Sequence, residues 1–309
     1  MERVCLIALF SNNGLIKVSS IHRLLLMISL GWMFSSEASP CCGASFLAPS
    51  LVTNDQHGHF LFSSSVSKEI QVVDQDGYWS KPTHPLTKQS FQFSTAYRWD
   101  TFQAGLTLPF IRNEVESTSS GLLLADLGLS AGWTLWDHPM EIEKIIFFFQ
   151  FHKPLGDSKY STKNMLEVSS QGLTSVAMGM FMVRAWGRLD TQSMILLRHP
   201  FSQSILVNEE QLTYQQENSY AFLLGAGYSF GKMRLGLSIQ PIYEGAAQLG
   251  PDSTNSFQRH TDLSLYWNYF FSSQSSWTIS YADQTLIEAP LSSYLSRSVG
   301  ISFRYAFAP

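Results

Sequence analysis

The sequence predicts an all-β fold: a transmembrane, antiparallel, up-and-down β-barrel of about twelve strands, preceded by a cleaved signal peptide. Three observations carry that expectation. Only 14% of the 309 residues are charged, and aromatic residues also reach 14%. Soluble domains carry about 25% charged residues, so much of this surface is not built for water. Many short stretches alternate apolar with small or polar residues, the period-two mark of a strand with one greasy and one wet face. The connections between these stretches alternate long and short, as external loops and periplasmic turns do in outer-membrane barrels. A soluble β-sandwich has no reason to keep that alternation.

The front of the chain reads as a leader. Arg23 precedes an apolar run from Leu24 to Phe34, and Ser36-Glu37-Ala38 supplies small residues for cleavage. The run is too short for a spanning helix, which needs about 20 apolar residues. Residues 1–20 are unlike a signal peptide, so translation is expected to start near Val18. The division that follows is a signal peptide with its upstream leader (1–38), a periplasmic N-terminal segment (39–57) and the barrel (58–309). Residues 43–57 lie in the periplasm or tuck into the barrel mouth. Cys41 and Cys42 are adjacent. They form a vicinal disulfide or sit free in a small tail; two ligands alone do not close a metal site.

Within the barrel the first strand is residues 59–66, with Phe60 and Phe62 on one face. A polar connection, 67–87, leads to a hairpin of 88–99 and 101–111. The fourth strand, 122–136, turns through Asp137-His138-Pro139 into the fifth, 142–154. The sixth, 171–185, and seventh, 188–199, meet at Trp186-Gly187. Residues 219–230 and 232–242 form the next hairpin around Gly231, then 259–271 and 276–284 the last. The closing strand is 296–307. There Val299, Ile301, Phe303, Tyr305 and Phe307 alternate with Ser298, Gly300, Ser302, Arg304 and Ala306. This stretch is the expected recognition strand for the barrel-assembly machinery. Trp99, Trp133, Trp136, Trp186, Tyr228 and Phe271 fall near strand ends, where an interfacial girdle belongs.

Charged residues inside strands are expected on the face opposite the apolar stripe. Arg98, Asp126, Arg184, Arg188, Asp190, Arg198, Arg234, Asp262 and Arg304 are therefore assigned to the lumen, bracing the wall or biasing a pathway toward anionic groups. A second lumen feature is an apolar strip, with Ile146 and Phe148 on the fifth strand and Met178, Met180 and Met182 on the sixth. It either guides an apolar solute or packs against the N-terminal segment, through Phe46 and Leu47. Methionine suits both roles because it adapts to irregular apolar shapes. The net charge of −4 points to no nucleic-acid partner. His138, His152, His199 and His260 have no flanking motif that sets a serine beside them, so no enzyme activity, cofactor or metal is expected.

Asp126-Leu127-Gly128-Leu129 opens one strand, and Phe149-Gln150-Phe151-His152-Lys153-Pro154-Leu155-Gly156-Asp157 closes the next. These stretches resemble the outer-membrane barrels called meta-pathway phenol-degradation proteins, relatives of hydrophobic-solute channels. The resemblance covers residues 88–307. It implies a bacterial outer-membrane location, contact with outer-membrane lipid and passive passage of small apolar or aromatic solutes, without defining a binding residue. Two departures stand out: the corner lacks the usual Thr before Gly, and Ala308-Pro309 extend past the terminal aromatic. A non-conducting structural or adhesion barrel and a lipid hydrolase at the rim are the alternative readings.

Overall fold

The computed structural model describes residues 49–52, 56–138, 143–158, 165–207, 210–255, 257–287 and 290–307. The leader, Cys41, Cys42, Phe46 and Leu47 lie outside the described residues. Among those described, twelve long strands follow one another. They are β1 (Gly58–Val73), β2 (Leu86–Trp99), β3 (Phe102–Val115), β4 (Leu127–His138), β5 (Glu143–Lys153) and β6 (Ser175–Trp186). The second half is β7 (Leu189–Pro200), β8 (Ser219–Phe230), β9 (Met233–Glu244), β10 (Gln258–Phe270), β11 (Ser275–Asp283) and β12 (Ser293–Phe307). Each pairs antiparallel with its neighbour in the chain, and β12 pairs with β1 from Phe307 opposite Gly58 to Ser293 opposite Val73. The sheet closes on itself.

Closure answers a physical demand. In hydrocarbon each unpaired backbone amide costs several kcal/mol, and a sheet escapes that cost only by having no edge. No helix of the described residues is long and apolar enough to cross a membrane. The outer face is what closure exposes. Phe62, Phe93, Leu129, Phe149, Leu237, Leu265, Ile279, Ile301 and Phe303 all stand exposed there. Such a continuous apolar band would be untenable in water. The fold is a transmembrane barrel of the outer-membrane type.

One end of the barrel carries the short turns. Asp100, Gly187 and Gly231 sit in them with φ of 56°, 61° and 62°. Glycine reaches that region without penalty, and a short aspartate tolerates it. Above these turns runs an aromatic girdle. Trp277 meets Phe303 at 6.3 Å between ring centroids, Phe60 meets Phe307 at 4.9 Å, and Tyr97 meets Trp99 at 4.7 Å. Phe102 continues the ring to Trp133 at 5.2 Å.

The long connections lie at the other end and hold more structure than the sequence indicates. β1 runs on to Val73, through a bulge between Glu69 and Gln71. Two connections, read from sequence as loops, build a separate four-stranded sheet from Gln203–Val207, Glu210–Gln216, Ala247–Leu249 and Asp252–Asn255. Tyr214 and Ala247 of that sheet bury with Leu173.

Candidate functional site

The barrel interior is built from two unlike walls. On β5 to β9 an apolar patch lies between inward polar residues such as Lys144, Gln150, Gln192 and Arg234. Ile146, Phe148, Ala177, Phe181, Met194, Leu196, Ala221, Leu223 and Ile242 form one buried cluster, with Val183 against it. Small residues make room for the large ones: a Cβ on Gly179 would collide with the Phe148 ring. On β11, β12, β1 and β2 many of the inward residues carry hydroxyls. Ser65, Ser67, Ser90, Ser94, Ser298 and Ser302 are buried there. Ser63, Thr278, Ser280 and Arg304 on the same wall stay half-exposed, so free space lies on the serine side of the lumen.

The N-terminal segment enters the lumen. The Val52 amide donates to Gln103 Oε1 at 2.6 Å, and Ser130 Oγ donates to the Ser50 carbonyl at 3.2 Å. Ser50 Oγ lies 3.3 Å from His59 Nε2. Leu51 completes the apolar cluster beside Ile146. Gly105 and Gly132 line the seat; a Cβ at Gly105 would strike the Ser50 carbonyl oxygen, so only glycine admits the segment this closely.

Each inward charge has a defined place. Asp190 on β7 takes Arg234 of β9 in a two-point pair, with Nε to Oδ2 at 2.7 Å and Nη2 on Oδ1. The Arg234 guanidinium also lies 5.0 Å from the Tyr266 ring centroid. Arg198 is buried toward the loop end, donating through Nε to Ser175 Oγ at 2.9 Å and through Nη2 to Gln171 Oε1. Asp126 is buried nearby, at 1% exposure, and accepts from the Gln171 amide at 3.4 Å. Asp262 accepts from Gln284 Nε2 at 2.7 Å, and Gln284 Oε1 accepts the Ser296 amide at 2.8 Å. Arg98 and Arg304 share the inner face with Ala96 and Ser302.

The loop end is narrowed by residues 154–158 and 165–174. Asn113, inward on β3, donates through Nδ2 to the Leu166 and Val168 carbonyls at 3.1 and 2.7 Å. Ser169 Oγ donates to the Leu124 carbonyl at 2.8 Å. These ties were invisible in the sequence, where Asn113 sits in an expected loop.

The sixth strand corrects the sequence reading. Met178 and Met180 are each 44% exposed on the outer face, and Met182 shares their parity. Met178 stands opposite Phe149 and Met180 opposite Phe147, both outward residues of β5. The inward set is Ala177, Gly179, Phe181 and Val183; of the expected strip only Ile146 and Phe148 line the lumen. Both faces of β6 are apolar, so alternation alone could not choose between them. The same parity carries Arg184 outward, where it lies 4.7 Å from the Trp186 ring centroid and 3.8 Å from Glu143. Arg188 is exposed in the tight turn after Gly187. Replacing Met180 with arginine is expected to cost about 2–4 kcal/mol of stability in bilayers, the midplane penalty on a lipid face. Urea unfolding in vesicles measures it; a neutral result would return Met180 to the lumen.

The histidines do not assemble a hydrolytic site among the described residues. His152 and His260 are buried, and His260 Nε2 stands 3.9 Å from Asp262. His199 at the rim bonds Asn218 Oδ1 at 2.7 Å. His59 meets Ser50, but its Nδ1 has no partner to orient the ring as a base. No group of three or more metal-ligating side chains occurs among the described residues.

Comparisons bear on the fold. No protein-family model matches the sequence, and no curated protein matches it. The structure is similar to the crystal structure of an outer membrane channel from Pseudomonas putida F1. The TM-score is 0.70 over 84% of this chain and 97% of that one, at 12% identity. It also resembles the TodX monoaromatic hydrocarbon channel, with a deltaS2S3 mutation, at TM-score 0.46 over 90% and 96% of the two chains, with 11% identity. The NanC porin matches at TM-score 0.42 over 78% of this chain and 98% of that one, with 9% identity. The first of these likenesses establishes a shared fold: this chain folds as an outer-membrane channel barrel does.

Proposed function

We propose that the chain is a passive channel of the bacterial outer membrane for small apolar or aromatic solutes. The observation that carries this is the mismatch between the lumen walls. Beside the Asp190–Arg234 pair, the β5–β9 wall presents a buried apolar cluster, with Leu51 of the N-terminal segment laid against it. An apolar solute that displaces Leu51 would exchange one apolar contact for another and lose little free energy. The outward cost of passage then falls on the serine wall, where hydroxyls accept water or a polar solute group equally. The likeness to a channel of Pseudomonas putida F1 supports the reading through the fold. For biogenesis, Val299, Ile301, Phe303, Tyr305 and Phe307 are the strand we assign to the barrel-assembly machinery.

The test is flux into vesicles carrying the full chain, comparing a small aromatic solute with a sugar of similar size. The aromatic solute is expected to cross faster. Flux of neither above protein-free vesicles would remove the channel reading and leave a structural barrel.

A further inference from the structure

At the loop end of β12 the outer face stops being apolar. Arg297 follows Val299, Ile301 and Phe303 on that face, with half of its side chain (51%) exposed. It pairs across the sheet with Asp283 of β11 on one side and Lys68 of β1 on the other. Asp283 is already saturated. Its Oδ1 accepts from the Thr285 amide and hydroxyl at 2.8 and 2.6 Å, and its Oδ2 from Tyr281 Oη and Arg297 Nε at 2.9 and 2.7 Å. The carboxylate thus grips Arg297 by Nε and leaves the Nη nitrogens with one long contact, to Thr285 Oγ1 at 3.4 Å. Lys68 is exposed and makes no ion pair among the described residues.

Arg297 borders a recess of about 510 Å³, shared with Ile70, Gln71, Trp79, Thr285 and Leu286. Below it Val299 and Val66 lie side by side on the outer face. Farther down, a second groove of about 410 Å³ runs across β12, β1, β2 and β3, lined by Phe62, Phe93, Phe303 and Leu108 among others. From Lys68 to Phe62 is roughly 20 Å along the strand. A cation pair at one end of an apolar groove, on a face that meets lipid, has the polarity of a lipid: charge at the head, hydrocarbon along the stem. Trp79 stands where an aromatic side chain marks the head-group level.

We propose that this face seats one lipid of the outer leaflet whose head group carries phosphate. The phosphate sits on Arg297 and Lys68, and an acyl chain runs over Val66 and Val299 into the phenylalanine groove. A guanidinium held edge-on by a carboxylate is suited to two-point contact with phosphate, and the lysine adds a second charge. The site rests on the outer-membrane placement proposed above, which puts the long loops at the outer leaflet.

The experiment titrates the full chain in detergent with diphosphorylated lipid A, dephosphorylated lipid A and inorganic phosphate, following the midpoint of thermal unfolding. Diphosphorylated lipid A is expected to raise the midpoint saturably, and the other two to leave it unchanged. The Lys68→Gln/Arg297→Gln double variant is expected to lose roughly tenfold or more in apparent affinity. Arg297→Lys, which keeps the charge and loses the fork, is expected to fall between. It also stands as the readout should the double variant not fold. An equal response of variant and wild type, or of dephosphorylated and diphosphorylated lipid, overturns the site. So does a response to inorganic phosphate alone, which would make it an ion site without a lipid. Channel flux read on the same preparations separates the two proposals: lipid binding without flux keeps this site and removes the channel, and flux without lipid binding does the reverse.

Discussion

Replacing Gly105 with valine is expected to open the lumen. The Ser50 carbonyl lies where any Cβ at residue 105 would project, and a backbone oxygen cannot swing aside as a side chain can. The segment is held by the hydrogen bonds to Gln103, Ser130 and His59, each contributing about 0.5–1.5 kcal/mol. Burial of Leu51 adds about 1.5–3 kcal/mol. A steric collision with the main chain overrides a hold of that size, because the wall is a closed sheet that cannot yield without losing ladder bonds. The outcome is a segment displaced from the wall and a wider passage on the serine side. Single-channel conductance in planar bilayers should rise severalfold over wild type, with sugar flux rising as well. Gly105→Ala should move in the same direction by less. Unchanged conductance in both variants would show that the segment does not limit the passage.

The second large effect is on stability. Arg234→Leu is expected to cost about 3–5 kcal/mol, because it leaves the Asp190 carboxylate without its partner inside the barrel. The pair is well made: two contacts, a tyrosine ring beneath the guanidinium, and Gly227 and Gly236 clearing the space. A Cβ on Gly227 would meet Arg234, and one on Gly236 would meet Tyr266. Leucine fills that space poorly and offers no donor. The Asp190→Asn/Arg234→Leu double variant should recover a substantial part of the loss, since most of the penalty is the stranded charge rather than the lost attraction. Urea unfolding in vesicles gives both numbers. Equal loss in the single and double variants would place the effect in packing instead.

The fold was legible in the sequence because the bilayer imposes one rule on every strand. The alternation in β12, from Val299 to Phe307, and in β2, from Phe91 to Trp99, could be read directly, since one face is aromatic or branched and the other small or hydroxylated. Twelve strands and the short-long order of connections followed from counting such stretches. Legibility ended where both faces of a strand are apolar. β6 offers Met178, Met180 and Met182 on one side and Ala177, Phe181 and Val183 on the other, and only its pairing with β5 decides which meets lipid. Packing of the N-terminal segment against Ile146 and Phe148 was one of two readings the sequence allowed, but the residues of its seat could not be read. It depends on Gln103, Gly105 and Ser130, three ordinary inward residues of β3 and β4 that become a site only when the sheet curves around Ser50. The outer-face cations were missed for a related reason: Lys68 and Arg297 become neighbours only through the pairing of the first strand with the last.

The closure of the sheet rests on that pairing, and one measurement tests it. Ser64 and Ile301 stand opposite each other across the β1–β12 seam. With the three native cysteines replaced by serine, a Ser64→Cys/Ile301→Cys chain folded into vesicles and mildly oxidised should form an internal disulfide, because directly opposed strand positions fall within disulfide reach. The predicted result is a monomer whose mobility on denaturing gels shifts on oxidation and returns on reduction. Free thiols throughout, or disulfide-linked dimers in place of the cyclised monomer, would contradict a sheet that closes first strand to last.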